Sequence, residues 1–191
     1  MGTSDIDRAF ESQLSRADNS NVGDLVFNLG RPSKKLLSAG IEDKQVKLYG
    51  AKLPKKMAKH GYTLADLRGL SKAFRNPIAV FRTLNNNSSA VLTTLRTSQG
   101  NMLVTLNVGK GQDSDFNIVS SVYGKSNDSI VKWINEGKLK YVDKKKALNY
   151  LRSTALIAVT ADSQGLFTAA NIVRNYKNSK FFGKNLSGVV K

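Results

Sequence analysis

The chain has 191 residues, with 30 Lys and Arg against 14 Asp and Glu, one His, no Cys and three Pro, and a 40% apolar composition that suits one domain of ordinary size. No thiolate and a single His exclude zinc ribbons, cysteine nucleophiles and His-based metal centres, and the scattered acids disfavour a carboxylate cation site, so no metal or cofactor is expected. A net charge of +16 draws phosphate backbones or anionic lipid heads, and nucleic acid is the expected partner rather than a membrane.

Residues 1–24 hold five acids against Arg8 and Arg16, a net −3, which leaves +19 for residues 25–191. Their Ser, Asn and Asp content predicts an acidic, polar arm or linker, loosely docked, with a short helix through Ile6, Phe10 and Leu14. A single basic domain is expected over residues 25–191. Pro32-Ser33 opens a short helix through Leu36 and Leu37 that Gly40 closes. Leu53-Pro54 opens another through Met57, ending at His60-Gly61. Thr63 and Asp66 cap a helix carrying Leu64, Leu67, Leu70 and Phe74, which Asn76-Pro77 stops.

The period then changes from helical to two. The runs 78–84, 90–95, 102–108 and 116–123 are rich in β-branched residues and predict strands, joined by polar, glycine-bearing turns. Short turns imply an antiparallel meander of four strands, with the preceding helices covering one face. Asn127 or Asp128 caps a helix bearing Ile130, Trp133 and Ile134, and Asp143 caps another bearing Ala147, Leu148 and Leu151. Residues 156–159 and 172–173 are candidate edge strands. The expected class is α+β: N-terminal helices, a four-stranded antiparallel meander, then C-terminal helices. No apolar run approaches the roughly 18 residues that span a bilayer, and the start lacks the basic and apolar regions of a leader.

Several chemistries are missing from the letters. There is no phosphate-loop signature, no dinucleotide fingerprint and no nucleophile elbow. Ser153-Thr154 hints at an ADP-ribosyltransferase, but no acid follows Asp162 to complete one. His60 alone titrates near neutrality when unperturbed. Lys52, Lys55, Lys56 and Lys59 surround it, so a phosphate can bind beside an imidazole whose pKa those charges lower. The plainer account is a helix C-terminus favoured by the dipole, with a solvated lysine face. Strand alternation places Val119, Ser121 and Tyr123 on one face, followed by Lys125, giving phosphate donors in a row and a ring to stack a base. Ser and Tyr are also ordinary sheet residues. Arg82, in the first strand of the meander, can clamp a phosphate bidentately or merely be exposed.

The runs Lys59–Thr63, Arg75–Thr83, Ile118–Lys125, Ile130–Gly137 and Tyr141–Ala147 together resemble the phage MuF C-terminal domain, over about residues 27–173 and including Asn171-Ile172. That domain is associated with the barnase–EndoU–colicin–RelE-like nuclease group of phage and mobile-element polyvalent proteins and polymorphic toxins. The resemblance implies helices followed by a four-stranded antiparallel sheet, and metal-independent RNA cleavage by attack of the ribose 2′-OH on the adjacent phosphate. Carried over, it implies His60, Arg82, Ser121 and Tyr123 as catalytic residues, with Lys125 and Asn171 in support. It also implies an RNA substrate, tRNA among the candidates, an immunity or antitoxin partner, and action in the cytoplasm of a host or target cell after delivery in a larger phage or toxin protein. The competing reading of the same residues is a catalytically silent nucleic-acid-binding module of a phage or mobile-element protein.

Overall fold

Alternating apolar runs give the protein its sheet. The computed structural model describes residues 2–83, 88–107 and 115–153, with side chains as far as residue 150. Within them the central strands are β3 (Ala79–Arg82), β4 (Ser88–Thr97), β5 (Gly100–Asn107) and β6 (Phe116–Lys125), each antiparallel to the next. The sheet is wider than the expected four strands. β1 (Val26–Gly30), β2 (Gln45–Tyr49) and β7 (Leu139–Val142) complete seven, in the order β1-β2-β6-β5-β4-β3-β7. All neighbours are antiparallel except β2 and β6, which run parallel. The three added strands have five, five and four residues. Such short stretches carry little period on their own, although Gln45-Val-Lys-Leu-Tyr49 does alternate, burying Val46 and Leu48. The candidate edge strands at 156–159 and 172–173 lie outside the described residues.

Both faces of the sheet are covered, which is why β4 and β5 are buried at successive positions through their middles, over residues 89–93 and 101–104. Val80, Val91, Met102, Val104 and Val122 point into a first core shared with α1 (Thr3–Ser15), α2 (Lys34–Ser38), α3 (Leu53–His60) and α4 (Leu70–Arg75). Ala79, Phe81, Ala90, Leu92 and Leu103 point the other way, against Ile130 and Ile134 of α5 (Asn127–Asn135) and Ala147 of α6 (Lys144–Ser153). Covering one face with the earlier helices is therefore half of the arrangement.

Local capping follows the expected chemistry in most places. The Asp66 carboxylate accepts from the Thr63 N–H at 2.7 Å and hydroxyl at 2.9 Å at the head of a 3-10 turn, Leu64–Leu67, that precedes α4. Asp143 accepts from the Lys146 N–H at 3.1 Å and starts α6. The cap of α5 is Ser126, not Asn127 or Asp128.

The acidic N-terminus differs from the loosely docked arm expected of it. Phe10 and Leu14 are 1% and 5% exposed in the first core, where the Phe10 and Phe27 rings lie 5.6 Å apart. Asp7 pairs with Arg75 at 2.5 Å and accepts from the Ser71 hydroxyl, and Glu11 accepts from the Gly69 N–H at 2.6 Å. Two of the five acids that make the segment look solvated, Asp7 and Glu11, are the groups that fasten it. Their partners sit more than fifty residues away, so no local pattern announces the match.

Candidate nucleic-acid site

α3 starts with Pro54 in its first turn, where no donor is needed, and anchors itself through buried Leu53 and Met57. Its last residue is His60. Gly61 stops it at φ 61°, a left-handed conformation that suits glycine, and donates to the Met57 carbonyl at 2.8 Å. β2 pairs with β6 only at Phe116, Asn117 and Ile118, and α3 packs against β6. There the His60 ring stacks on Tyr123, with centroids 5.2 Å apart and 27° between planes. Gly124 lets the strand pass close to β4: a Cβ at that position would fall 2.0 Å from the Thr97 hydroxyl oxygen.

The two stacked groups have opposite proton affinities. Burial, and then the charges of Lys59 and Lys56, hold the His60 imidazole below its ordinary 6.5. It is neutral at pH 7 and ready to accept a proton. Burial pushes the Tyr123 phenol above its ordinary 10, so it keeps its proton. A neighbouring base and acid result from environments that move their pKa values apart.

Tyr123 also lines a cleft of about 300 Å³ on the α5 side of the sheet. Arg82 and Lys138 bring two cations to it, Trp133 a ring, and Asn107 an amide. Hydroxyls come from Thr83, Ser88, Thr105 and Ser120, and among the described residues no carboxylate lines it. The Thr105 and Ser120 hydroxyls lie 3.0 Å apart in one hydrogen bond, and Ser120 also donates to the Thr105 carbonyl at 3.1 Å. A carboxylate-free cleft of donors and cations fits a phosphate.

Strand alternation misplaces one residue here. Thr105 faces Ser121 and Leu106 faces Val119, so Ser120 is an extra residue in β6 and a bulge forms. Val119 and Val122 consequently both enter the first core, while Tyr123 packs against the second. Val119 therefore leaves the face that alternation gives it with Ser121 and Tyr123, which stay two apart beyond the bulge, opposite Thr105 and Leu103. Ser120 lines the cleft and Ser121 does not; the Ser121 carbonyl accepts from the Thr105 hydroxyl at 3.1 Å.

Of the other expected site residues, Arg82 and Tyr123 line the same cleft, and His60 adjoins it through Tyr123 without lining it. Lys125 lies beside the cleft, its Nζ 5.2 Å from the Trp133 ring centroid. Lys52, Lys55 and Lys59 are exposed on α3 and the turn before it, with Lys56 half-buried. Asn171 lies outside the described residues. Trp133 and Lys138 are site residues that sequence reasoning passes over, because Trp133 also satisfies the apolar face of α5. A larger cavity, about 610 Å³, lies among Pro54, Met57, Ala58 and Leu64, but its only charged lining group is Asp18, the wrong sign for a phosphate.

Among the described residues no three His, Asp or Glu side chains gather as metal ligands, and no helix is long and apolar enough to cross a membrane. A sequence profile of the family described as phage MuF-C-terminal domain matches residues 51–149, just over half of the chain and inside the stretch of resemblance. The match spans α3, the central strands, α5 and most of α6, and so includes His60, Arg82, Tyr123 and Trp133. No curated protein and no solved structure gives a significant match.

Proposed function

The chain belongs to the phage MuF C-terminal domain family, and from that premise we propose that it is a toxin-type ribonuclease of the barnase–EndoU–colicin–RelE-like group that cleaves RNA without a metal. The observation that carries this reading is the His60–Tyr123 stack beside a carboxylate-free cationic cleft. His60 takes the proton of a ribose 2′-OH, whose oxygen attacks the adjacent phosphorus. Arg82 and Lys138 stabilise the charge that gathers on the non-bridging oxygens. Tyr123 gives its proton to the departing 5′-oxygen, which leaves a 2′,3′-cyclic phosphate. Proton return from His60 to Tyr123 through solvent restores both groups. Lys52, Lys55, Lys56, Lys59 and Lys125 hold the flanking phosphates, and the family membership places the protein in a phage setting.

The test is incubation with total RNA in EDTA. Cleavage should persist, leave 2′,3′-cyclic ends and fall about 10²–10⁴-fold in His60→Ala, the usual worth of a general acid–base group. A metal requirement, or full activity in His60→Ala, overturns the mechanism. One observation favours the silent binding module: His60 is not itself a lining residue of the cleft. Salt-sensitive RNA binding with no cleavage of any RNA by the wild type would establish that reading instead.

A further inference from the structure

Trp133 is the only tryptophan in the chain, and packing alone does not explain its setting. Its ring meets Phe81 edge-on, with centroids 5.6 Å apart at 62°, so the second core supports it. It is nevertheless half-exposed and lines the cleft with Arg82, Lys138 and Tyr123. Two ammonium groups attend it, Lys125 at 5.2 Å and Lys138 at 5.8 Å from the ring centroid. Those distances are near the roughly 6 Å limit of cation–π attraction, so little holds either ammonium on the ring. Glu136 fixes the Lys138 side chain from outside, at 2.5 Å.

We infer that Trp133 is a stacking platform for one unpaired base of single-stranded RNA, with Arg82 and Lys138 taking the phosphate of the same nucleotide. This rests on the ribonuclease reading and adds a base-binding subsite to it. The cleft, about 300 Å³, holds one nucleotide and is too small for a paired helix. A base can reach an aromatic platform only when it is free of its own stack, so duplex RNA is excluded by geometry. Stacking recognises any π-face, so the subsite discriminates strandedness more than sequence. Lys125, displaced from the ring by the base, is left beside the next phosphate.

Because Trp133 is the sole tryptophan, its emission reports on this subsite alone. Adenosine 5′-monophosphate should quench it saturably, whereas ribose 5-phosphate, which has a phosphate but no base, should not. A labelled single-stranded oligoribonucleotide should bind about 5- to 150-fold more weakly to Trp133→Leu, the usual worth of one base–aromatic stack. Trp133→Leu keeps the apolar contact to Phe81 and so tests stacking without emptying the core, and Trp133→Phe, which keeps a ring, should lose less. Binding to duplex RNA should be equal in all three. Equal responses to the two phosphates, or wild-type binding by Trp133→Leu, overturns the platform. Neither readout needs cleavage. A protein that cleaves RNA without base-dependent quenching keeps its activity and loses the platform, and one that quenches but never cleaves does the reverse.

Discussion

Arg75 and Arg82 lie on either side of the turn that leads from α4 into β3, and the protein uses them in opposite ways. Arg75 is 9% exposed, paired with Asp7 and bonded to the Leu29 carbonyl at 3.2 Å. Arg82 is exposed at the end of β3, in a cleft where the described residues bring a second cation and no carboxylate. A buried charge must be paired, because desolvation otherwise costs several kcal/mol, so the first arginine is committed to holding α1 in place. A charge left in water keeps its hydration and needs no such partner. The same side chain is therefore architecture at one position and, on the ribonuclease reading, a phosphate contact at the other.

The largest expected effect separates chemistry from folding. Tyr123→Phe should lower RNA cleavage about 10²–10⁴-fold, with RNA binding and melting temperature almost unchanged. The pH profile should show both groups. Activity falls on the acid side as pH drops through the His60 value, below 6.5, because the base becomes protonated. It falls on the alkaline side as pH rises through the Tyr123 value, above 10, because the acid is lost. An acid limb that persists unchanged in His60→Gln would assign it to another group.

The helical face should answer in stability instead. Phe10→Ala opens a cavity in the first core and should cost about 3–5 kcal/mol by chemical denaturation. Asp7→Ala leaves Arg75 without its carboxylate and should cost about 1–3 kcal/mol, less than a fully buried pair because Asp7 is 26% exposed. If removing residues 2–16 leaves the denaturation midpoint in place, the docked helix described above is wrong.

Arg82→Ala inverts that pattern. Its effect on stability should stay within about 0.5 kcal/mol, as for an ordinary surface change. The slope of log affinity against log salt for single-stranded RNA should become shallower by about 0.7, the release of one counterion. An unchanged slope would remove Arg82 from the phosphate contacts. The smallest contrast lies within the bulge. Ser120→Ala should weaken cleavage about tenfold by removing one hydrogen bond to a charged group. Ser121→Ala should do less. The opposite order would restore the placement that strand alternation predicts.

Local chemistry decides a good part of this protein. The Pro54 start and Gly61 stop of α3, the Thr63–Asp66 and Asp143 caps, and the alternating runs of the central strands each act within a few residues, so each is legible in the chain. The position of His60 at a helix end among lysines is legible for the same reason, whereas the burial that does most to lower its proton affinity is not. Contacts across the fold decided the rest. Nothing near Asp7 or Glu11 points to Arg75, Ser71 or Gly69, and the polar segment reads as solvated until its partners are known. The strands β1 and β7 are too short to carry a period and β2 alternates over only five residues, so their place at the two ends of the sheet is decided by pairing with β2, β3 and β6. The extra residue at Ser120 is a property of the pairing of β6 with β5, invisible in β6 alone, and it exchanges one serine for another in the cleft. The stack of His60 on Tyr123 joins residues 63 positions apart. It forms where β2 has ceased to pair with β6 and a helix packs against the strand.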